Sequence, residues 1–508
     1  MRRAFLALLL LAACAAVPAR AQNAVPDRAG RGARGGAEAP ASTAPATQPE
    51  RLPPVSVTHH TVTLANGRTL AFTATVAPWR TTNSEGHEEY EIVTTAYTLD
   101  GVDPATRPVT FAFNGGPGSA SAWLQLGMLG PWRVAMDGDA NAPSASATPL
   151  PNPQTWLEWT DLVFIDPVGT GFSHFVDTSD AVRKRVWSVD GDVDAVAATI
   201  RRWLARNERA TSPKYVVGES YGGIRGPRVV RALQSEQGIG ISGLVLVSPA
   251  LDMSGRSGGL DPMTWVERLP TEVAAARAQR GTVDRASLAD VEAYATGDYL
   301  RDLLRGDSDP TAVARLVDRV GALTGIDPSI VRDRGGRIDG TTFLRELNRA
   351  HEMTGSDYEA TVQQPDPFPD SLFSNHPDAV TDALTGPVVS AMLDLYGREL
   401  RWLPDAPYHL TNRDVGRNWD YGRFRPESAS ALRAALALDR NLRVLIGHGL
   451  FDMVTPYFGT QLILNQFPPA IGGDRVRLTV LPGGHMFYTR DDSRLAFRDA
   501  AKALYRVE

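Results

Sequence analysis

Ser220 is the first residue whose neighbours suggest chemistry. It lies in the sequence G-E-S-Y-G at residues 218–222, directly after the apolar run at 215–217 and before a segment of helical character at 227–233. A strand, a tight glycine-flanked turn and a helix together project a serine hydroxyl above the edge of a sheet, the arrangement called a nucleophile elbow. The alternative is an ordinary glycine-rich turn with a capping serine. The context favours a nucleophile.

A serine nucleophile predicts two partners elsewhere in the chain. Its hydroxyl reacts poorly at neutral pH unless a base lies within hydrogen-bonding reach and a carboxylate orients that base. After an elbow serine these partners follow in the order Asp or Glu, then His. Asp452 follows the apolar run at 444–446, and His485 follows the run at 478–481. Active sites of open α/β sheets assemble at such strand ends, so we predict a catalytic triad of Ser220, Asp452 and His485.

Other chemistries have little support. His448 also lies on a loop after a strand, but it precedes Asp452 on the same loop, so we expect it to be structural. Neither the zinc motif H-E-x-x-H nor the phosphate loop G-x-x-x-x-G-K occurs. The only cysteine is Cys14, which excludes a cysteine nucleophile or a thiolate metal site later in the chain. We therefore expect no cofactor and no metal.

The apolar pattern predicts the elements that position the triad. Asn66-Gly67 separates two alternating segments, which is typical of a β-hairpin. Nearly continuous apolar runs indicate strands buried on both faces, as in a parallel sheet, and they occur at residues 109–113, 162–165, 215–217, 244–247 and 444–446. A helical spacing of apolar residues lies between two of them, from Val193 to Leu204. The predicted fold is α/β, with a mostly parallel central sheet and antiparallel N-terminal strands.

Five segments follow from these patterns and from composition. We predict a signal peptide at residues 1–21, a disordered linker at 22–55, the first part of the core at 56–252, a helical cap insertion at 253–401 and the second part of the core at 402–508. The insertion is helix-favouring and rich in charge, which is typical of a lid over an active site. An independent second domain is the alternative.

The N-terminus is typical of an export signal. Arg2 and Arg3 precede an apolar run, and A-R-A at residues 19–21 would leave Gln22 as the first mature residue. Two alternatives remain, because L-A-A-C ending at Cys14 resembles the lipobox of lipoproteins and the paired arginines resemble a twin-arginine signal. We expect an exported protein, periplasmic or secreted, that meets a membrane only if Cys14 is lipidated.

The net charge of the chain limits the classes of binding partner that we expect. The 508-residue chain has a net charge of −6 without long basic runs, so we expect no nucleic-acid partner. No segment after the N-terminus approaches the apolar length of about 20 residues that a membrane-crossing helix needs.

Four motifs in order resemble those of the serine carboxypeptidase family. They are N-G-G-P-G-S at residues 114–119, D-P-V-G-T-G-F-S at 166–173, G-E-S-Y-G-G at 218–223 and G-H-M at 484–486. The resemblance extends from about Val109 to the C-terminus. It implies an α/β-hydrolase fold with a helical insertion. It also implies hydrolysis of C-terminal peptide bonds through an acyl-enzyme, with a peptide that has a free C-terminus as substrate.

The resemblance also implies roles for single residues. Gly116 and Tyr221 correspond to the family's two backbone N–H donors of the oxyanion hole, where charge develops in the transition state. Asn114, Gly115 and Glu219 correspond to residues that bind the substrate, and two of them, Asn114 and Glu219, match a network around the terminal carboxylate.

The chain departs from the family pattern at two places in that region. Met128 stands where the family has a second glutamate of the carboxylate network, so an acidic pH preference does not follow. Arg225 replaces part of an aromatic and histidine-containing stretch. It could bind a substrate carboxylate, but a helix-surface or structural ion-pair role is the interpretation we favour. An esterase or acyltransferase with the same triad is an alternative function, and a binding protein without catalysis is another.

Overall fold

The chain enters the sheet through the hairpin predicted at Asn66-Gly67. Strands β1 (Ser56–Thr63) and β2 (Thr69–Thr82) pair antiparallel, and Thr63 lies opposite Thr69. Gly67 has φ +83°, a backbone conformation that favours glycine. The hairpin therefore forms where local turn chemistry places it.

The computed structural model describes residues 51–136, 147–254, 259–370 and 377–505. Residues 49–508 belong to one compact unit. The predicted signal peptide, Cys14 and most of the predicted linker lie outside the described residues. At the end of that linker, the carbonyl oxygens of Pro53 and Pro54 accept hydrogen bonds from the Trp402 indole N–H. Residues 51–55 of the predicted linker thus lie within the described residues, and part of this segment contacts Trp402.

The remaining strands complete one large sheet and two small two-stranded sheets. They are β3 (Glu88–Leu99), β4 (Val109–Phe113), β5 (Trp132–Arg133), β6 (Leu150–Pro151), β7 (Asp161–Asp166), β8 (His174–Phe175), β9 (Lys214–Glu219), β10 (Gly243–Val247), β11 (Met353–Gly355), β12 (Gln363–Pro365), β13 (Arg443–Gly449) and β14 (Val476–Leu481). The sheet has the order β1-β2-β3-β7-β4-β9-β10-β13-β14, with β8 beside β3. From β7 to β14 every pairing is parallel, and the strands before β7 pair antiparallel. The predicted fold class is confirmed.

Fifteen α-helices occur in the described ranges. They are α1 (Ala122–Leu124), α2 (Asp180–Val186), α3 (Val189–Arg206), α4 (Gly222–Ser235), α5 (Pro262–Ala278), α6 (Ala289–Tyr294), α7 (Leu300–Arg305), α8 (Pro310–Thr324), α9 (Pro328–Asp333), α10 (Gly340–Asn348), α11 (Thr381–Asp394), α12 (Arg413–Arg417), α13 (Ala429–Leu438), α14 (Tyr457–Leu464) and α15 (Asp491–Leu504). No helix in these ranges is both long and apolar enough to cross a bilayer.

Both faces of the sheet are covered, which explains the continuous apolar runs. Along β4, Phe111 and Phe113 pack into one core with residues of α3 and α4, whereas Ala112 faces the other core, which contains residues of α11 and α15. A strand buried on both faces needs apolar residues at every position. The sequence pattern at 109–113 is therefore a direct consequence of its place in the middle of the sheet.

Between β10 and β13 the chain is mostly helical, and most of its helices pack in a third apolar cluster. Helices α5 to α10 contribute Val273, Leu316 and Phe343 to this cluster, and Phe451 and Tyr457 join it from the segment after β13. The short hairpin of β11 and β12 also lies here. The helical segment is thus packed against the chain that follows β13.

Candidate active site

The turn at Ser220 has the geometry of an elbow. Ser220 has φ +59°, which is uncommon for a residue with a side chain and costs backbone strain. Its N–H donates to the carbonyl oxygen of Val247, 3.0 Å away, and its own carbonyl accepts from the N–H groups of Gly223 and Ala250. A Cβ at Gly218 would lie 2.6 Å from the carbonyl oxygen of Gly222. Gly218 is therefore needed for the turn to close, whereas a Cβ at Gly222 would lie 3.5 Å from its nearest neighbour, the carbonyl oxygen of Phe113.

The predicted acid and base lie together. His485 Nδ1 is 2.8 Å from Asp452 Oδ2, and both side chains are buried. The other carboxylate oxygen, Oδ1, accepts the backbone N–H groups of Val454 and Thr455. Charge-assisted bonds of this kind fix the orientation of the carboxylate.

Sheet register brings Ser220 to the same edge. In the register of neighbouring strands Glu219 lies opposite Val247, and Gly449 lies opposite Leu481. Because β9, β10, β13 and β14 are parallel and adjacent, their carboxyl ends meet at one edge. The three residues of the predicted triad follow the ends of β9, β13 and β14.

A glycine-rich loop after β4 contacts the elbow. A Cβ at Gly115 would lie 2.3 Å from the backbone nitrogen of Tyr221, so only glycine allows this approach. Gly116, with φ +101°, continues the loop. Among the described residues, neither the Gly116 N–H nor the Tyr221 N–H donates a hydrogen bond to another group. Two backbone donors with no internal acceptor suit an oxyanion hole.

Asn114 and Glu219 form a buried network beside the elbow. Asn114 Nδ2 donates to Glu219 Oε2 at 2.7 Å, and the hydroxyl of Tyr488 donates to the same carboxyl group at 3.0 and 3.1 Å. Leu124 N–H donates to Asn114 Oδ1, which fixes the amide orientation. Burial raises the pKa of Glu219 to about 7, against the opposing influence of His485 and of these hydrogen bonds. This carboxyl group thus changes charge near neutral pH.

The family model for serine carboxypeptidases matches residues 94–475. The chain belongs to the serine carboxypeptidase family. The matched range contains Asn114, Ser220 and Asp452 and ends before His485. The family assignment made from the four sequence motifs is confirmed.

Curated relatives match over short stretches. A pheromone-processing carboxypeptidase of Talaromyces marneffei is 36% identical over 126 residues, which are 24% of this chain and 17% of the fungal protein. The retinoid-inducible serine carboxypeptidase of Mus musculus is 34% identical over 123 residues, 23% of each protein. The chain therefore aligns with less than a quarter of the length of these two relatives.

Similarity at the level of fold extends much further. The crystal structure of a prohormone-processing carboxypeptidase of Saccharomyces cerevisiae superposes with a TM-score of 0.51 at 15% identity. It covers 85% of this chain and 91% of that structure. The α/β-hydrolase fold is thus shared although most residues differ.

Within this family member, the two departures from the motif pattern have structural explanations. Met128 is buried in the apolar core, and Tyr488 supplies a hydroxyl to Glu219 instead of a second carboxyl group. Arg225 is also buried. Its Nε donates to Asp192 Oδ2 at 2.6 Å, and a second nitrogen donates to the Asn114 carbonyl oxygen. The ion pair that we favoured for Arg225 is present.

The insertion reaches the acid–base pair through one segment. The N–H of His485 donates to the carbonyl oxygen of Tyr358 at 2.5 Å, and the two rings meet edge to face with centroids 5.2 Å apart. Glu359 accepts the N–H of Gly484 and forms an ion pair with Arg490. A Cβ at Gly484 would lie 1.9 Å from the Tyr358 carbonyl oxygen. These contacts have no signal in the sequence around residue 358.

His448 and Thr455 also lie next to the site, and the sequence analysis named only the first of them. His448 is buried, its Nε2 lies 2.9 Å from Thr460 Oγ1, and burial lowers its pKa to about 4. It is therefore neutral, in agreement with the structural role expected for it. Thr455 was not predicted, yet its hydroxyl lies 2.7 Å from Asp452 Oδ2. Its position three residues after the aspartate was the available signal.

Proposed function

We propose that this chain is an exported serine carboxypeptidase that hydrolyses C-terminal peptide bonds through an acyl-enzyme on Ser220. The observation that carries the proposal is the buried hydrogen bond from His485 to Asp452 at the sheet edge where the Ser220 elbow also lies. Family membership supports the same reaction class.

In the proposed reaction, His485 Nε2 takes the proton of the Ser220 hydroxyl while the serine oxygen attacks the scissile carbonyl carbon. Asp452 holds the imidazole in the tautomer with hydrogen on Nδ1 and stabilises its charged form. The N–H groups of Gly116 and Tyr221 bind the oxyanion of the tetrahedral intermediate. His485 then returns the proton to the leaving amino group, and water attacks the acyl-enzyme by the same path.

Recognition of the free C-terminus is proposed for Asn114, Gly115 and Glu219. Below pH 7 the Glu219 carboxyl group is protonated and donates a hydrogen bond to the substrate carboxylate. Tyr488, which donates to Glu219, occupies the partner role that Met128 leaves vacant. Exopeptidase specificity follows because an internal peptide bond presents no carboxylate to this network.

An esterase or acyltransferase is the second candidate, and Met128 favours it. A carboxylate network with one carboxyl group instead of two binds a terminal carboxylate less strongly, whereas triad and oxyanion hole serve any acyl transfer. Ester substrates without a free carboxylate need only the triad and the oxyanion hole.

Blocked dipeptides, their amides and simple esters separate the two candidates. We expect the purified protein to hydrolyse free-acid dipeptides faster than the matching amides, and Ser220→Ala to lose at least about a thousandfold in kcat. Turnover of esters without turnover of free-acid peptides would contradict the carboxypeptidase. Equal activity in Ser220→Ala would exclude Ser220 as nucleophile.

The proposal also includes export of the protein and the position of the helical insertion over the active site. We propose that residues 1–21 are removed and that the insertion at 253–401 covers the active site, with the contacts of Tyr358 and Glu359 in support. Mass determination of the exported protein tests the first point. A mature chain that begins at Gln22 supports a cleaved signal peptide, whereas a lipidated Cys14 as first residue indicates the lipoprotein alternative.

A further inference from the structure

The hydroxyl of Thr455 is in contact with both members of the acid–base pair. Its oxygen lies 2.7 Å from Asp452 Oδ2, 3.1 Å from His485 Nδ1 and 3.0 Å from the carbonyl oxygen of Ser248. Thr455 is 3% exposed, and Asp452 and His485 are buried as well. Bulk water therefore does not replace these hydrogen bonds.

Chemistry assigns the protons in this cluster. The hydroxyl has one proton, and the nearer and charged acceptor is Asp452 Oδ2, so the charge-assisted bond takes it. His485 Nδ1 carries hydrogen because it also faces Oδ2, at 2.8 Å. The Thr455 oxygen consequently faces Nδ1 as an acceptor. Oδ2 receives two hydrogen bonds, and Oδ1 receives the two backbone N–H groups of Val454 and Thr455.

We propose that Thr455 is a positioning residue of the triad, whose hydroxyl keeps Asp452 Oδ2 in line with His485 Nδ1 and offsets part of the carboxylate charge. This inference rests on the proposed function, because it requires His485 to act as the base for Ser220. The contact to Ser248 links the same hydroxyl to the end of β10, whose Val247 holds the elbow. Thr455 thereby joins acid, base and elbow.

Removal of the hydroxyl has a defined electrostatic consequence. Without it the Asp452 carboxylate has one donor fewer on the oxygen that faces His485, so more of its charge acts on the imidazole, although Oδ1 keeps its two backbone donors. The charged imidazole is then favoured, and the acid limb of the pH–rate profile moves to higher pH. A purely structural threonine would change stability and leave the limb in place.

Other titratable groups face His485 and must be controlled. Glu219 approaches from the end of β9, His448 from β13 and Tyr358 from the insertion. Burial keeps His448 neutral above about pH 4, and burial also raises the pKa of Tyr358. Glu219 is the one that titrates near neutrality, so the limb is also measured in a Glu219→Gln background.

The test measures the rate at which a fluorophosphonate labels Ser220, as a function of pH, in the full mature protein. This reaction needs the nucleophile and its base but no recognition of a peptide C-terminus. The variants are Thr455→Val, which keeps the shape and removes the hydroxyl, and Thr455→Ser, which restores it. Thr199→Val, at a buried threonine bonded to Ala195 within α3, is the matched control.

We expect Thr455→Val to label at least about tenfold more slowly and with an acid limb at higher pH, in both Glu219 backgrounds. Thr455→Ser restores rate and limb, and Thr199→Val changes neither. The proposal would be overturned if the acid limb of the pH–rate profile were unchanged in Thr455→Val, or if Thr455→Ser did not restore the labelling rate. If Thr455→Val does not fold, Thr455→Ala carries the same expectation and the same refutation.

The labelling experiment separates this proposal from the proposed function. Labelling of the wild type that Ser220→Ala abolishes, together with no turnover of free-acid peptides, overturns the carboxypeptidase alone and leaves Thr455 tested. If the wild type and Ser220→Ala are labelled at the same rate, both the proposed function and the proposed role of Thr455 are overturned.

Discussion

For the proposed carboxypeptidase, we expect the charge of Glu219 to make activity on free-acid peptides depend on pH near neutrality. Burial raises its pKa from 4.5 to about 7. A raised pKa of this size corresponds to about 3 kcal/mol in favour of the protonated form, since a tenfold change in an equilibrium constant is about 1.4 kcal/mol. In the proposed function, the neutral carboxyl group donates a hydrogen bond to the substrate carboxylate below pH 7, and above pH 7 its charge repels that carboxylate.

We therefore expect kcat/KM for a free-acid dipeptide to fall relative to its amide by up to about tenfold per pH unit above 7. The ratio is the useful quantity, because His485 serves both substrates and its titration cancels. Glu219→Gln stays neutral at every pH and should hold the ratio level across the range.

Glu272 on α5 provides a matched control. It is buried in the insertion, and burial raises its pKa to about 8. In both carboxyl groups the folded pKa lies above the unfolded value, so each contribution to stability is complete below that unfolded value and is lost as pH rises through about 7 or about 8. Both glutamine variants should therefore weaken the pH dependence of stability.

Only Glu219→Gln should change the ratio of free-acid to amide hydrolysis. A wild-type ratio that stays constant from about pH 5 to about pH 9 would refute the reasoning, and so would an equal effect of Glu272→Gln. The assay is steady-state hydrolysis of one blocked dipeptide and its amide across that range, with thermal unfolding measured at each pH.

Two further predictions concern stability and the position of the insertion. Arg225→Met leaves Asp192 buried without its partner and should lower the free energy of unfolding by about 3–5 kcal/mol, measured by denaturant titration. If Arg225→Met unfolds at the same denaturant concentration as the wild type, the ion pair does not contribute to stability as expected. Gly484→Ala introduces a Cβ 1.9 Å from the Tyr358 carbonyl oxygen, so we expect a lower melting temperature and loss of most activity. Gly240→Ala, with no atom within 4 Å of its Cβ, should change neither, and an equally active Gly484→Ala would show that the insertion segment adjusts freely.

Much of the fold was readable from sequence because its signals are local. The run at residues 109–113 is apolar at every position since β4 is covered on both faces, and the turn at Asn66-Gly67 needs residues that tolerate positive φ. The elbow around Ser220 is likewise predicted from five consecutive residues, 218–222. Chain order then led to Asp452 and His485 without any knowledge of distance.

Other features depend on groups that meet only in the folded chain. Tyr488 donates to Glu219 across 269 residues of sequence, and Tyr358 reaches His485 from an insertion whose composition shows only that it is helical. No pattern of residues predicts such contacts, because they follow from how two segments pack.

The sequence by itself predicted which residues perform the proposed chemistry and in which order they follow one another along the chain. Tertiary structure alone decided their electrostatic state. Glu219 has its raised pKa because packing removes water from a carboxyl group, and Asp452 is held by Thr455 because one turn after β13 folds back on itself. Burial and the direction of a hydroxyl are properties of three-dimensional packing, and neither is encoded at a single position.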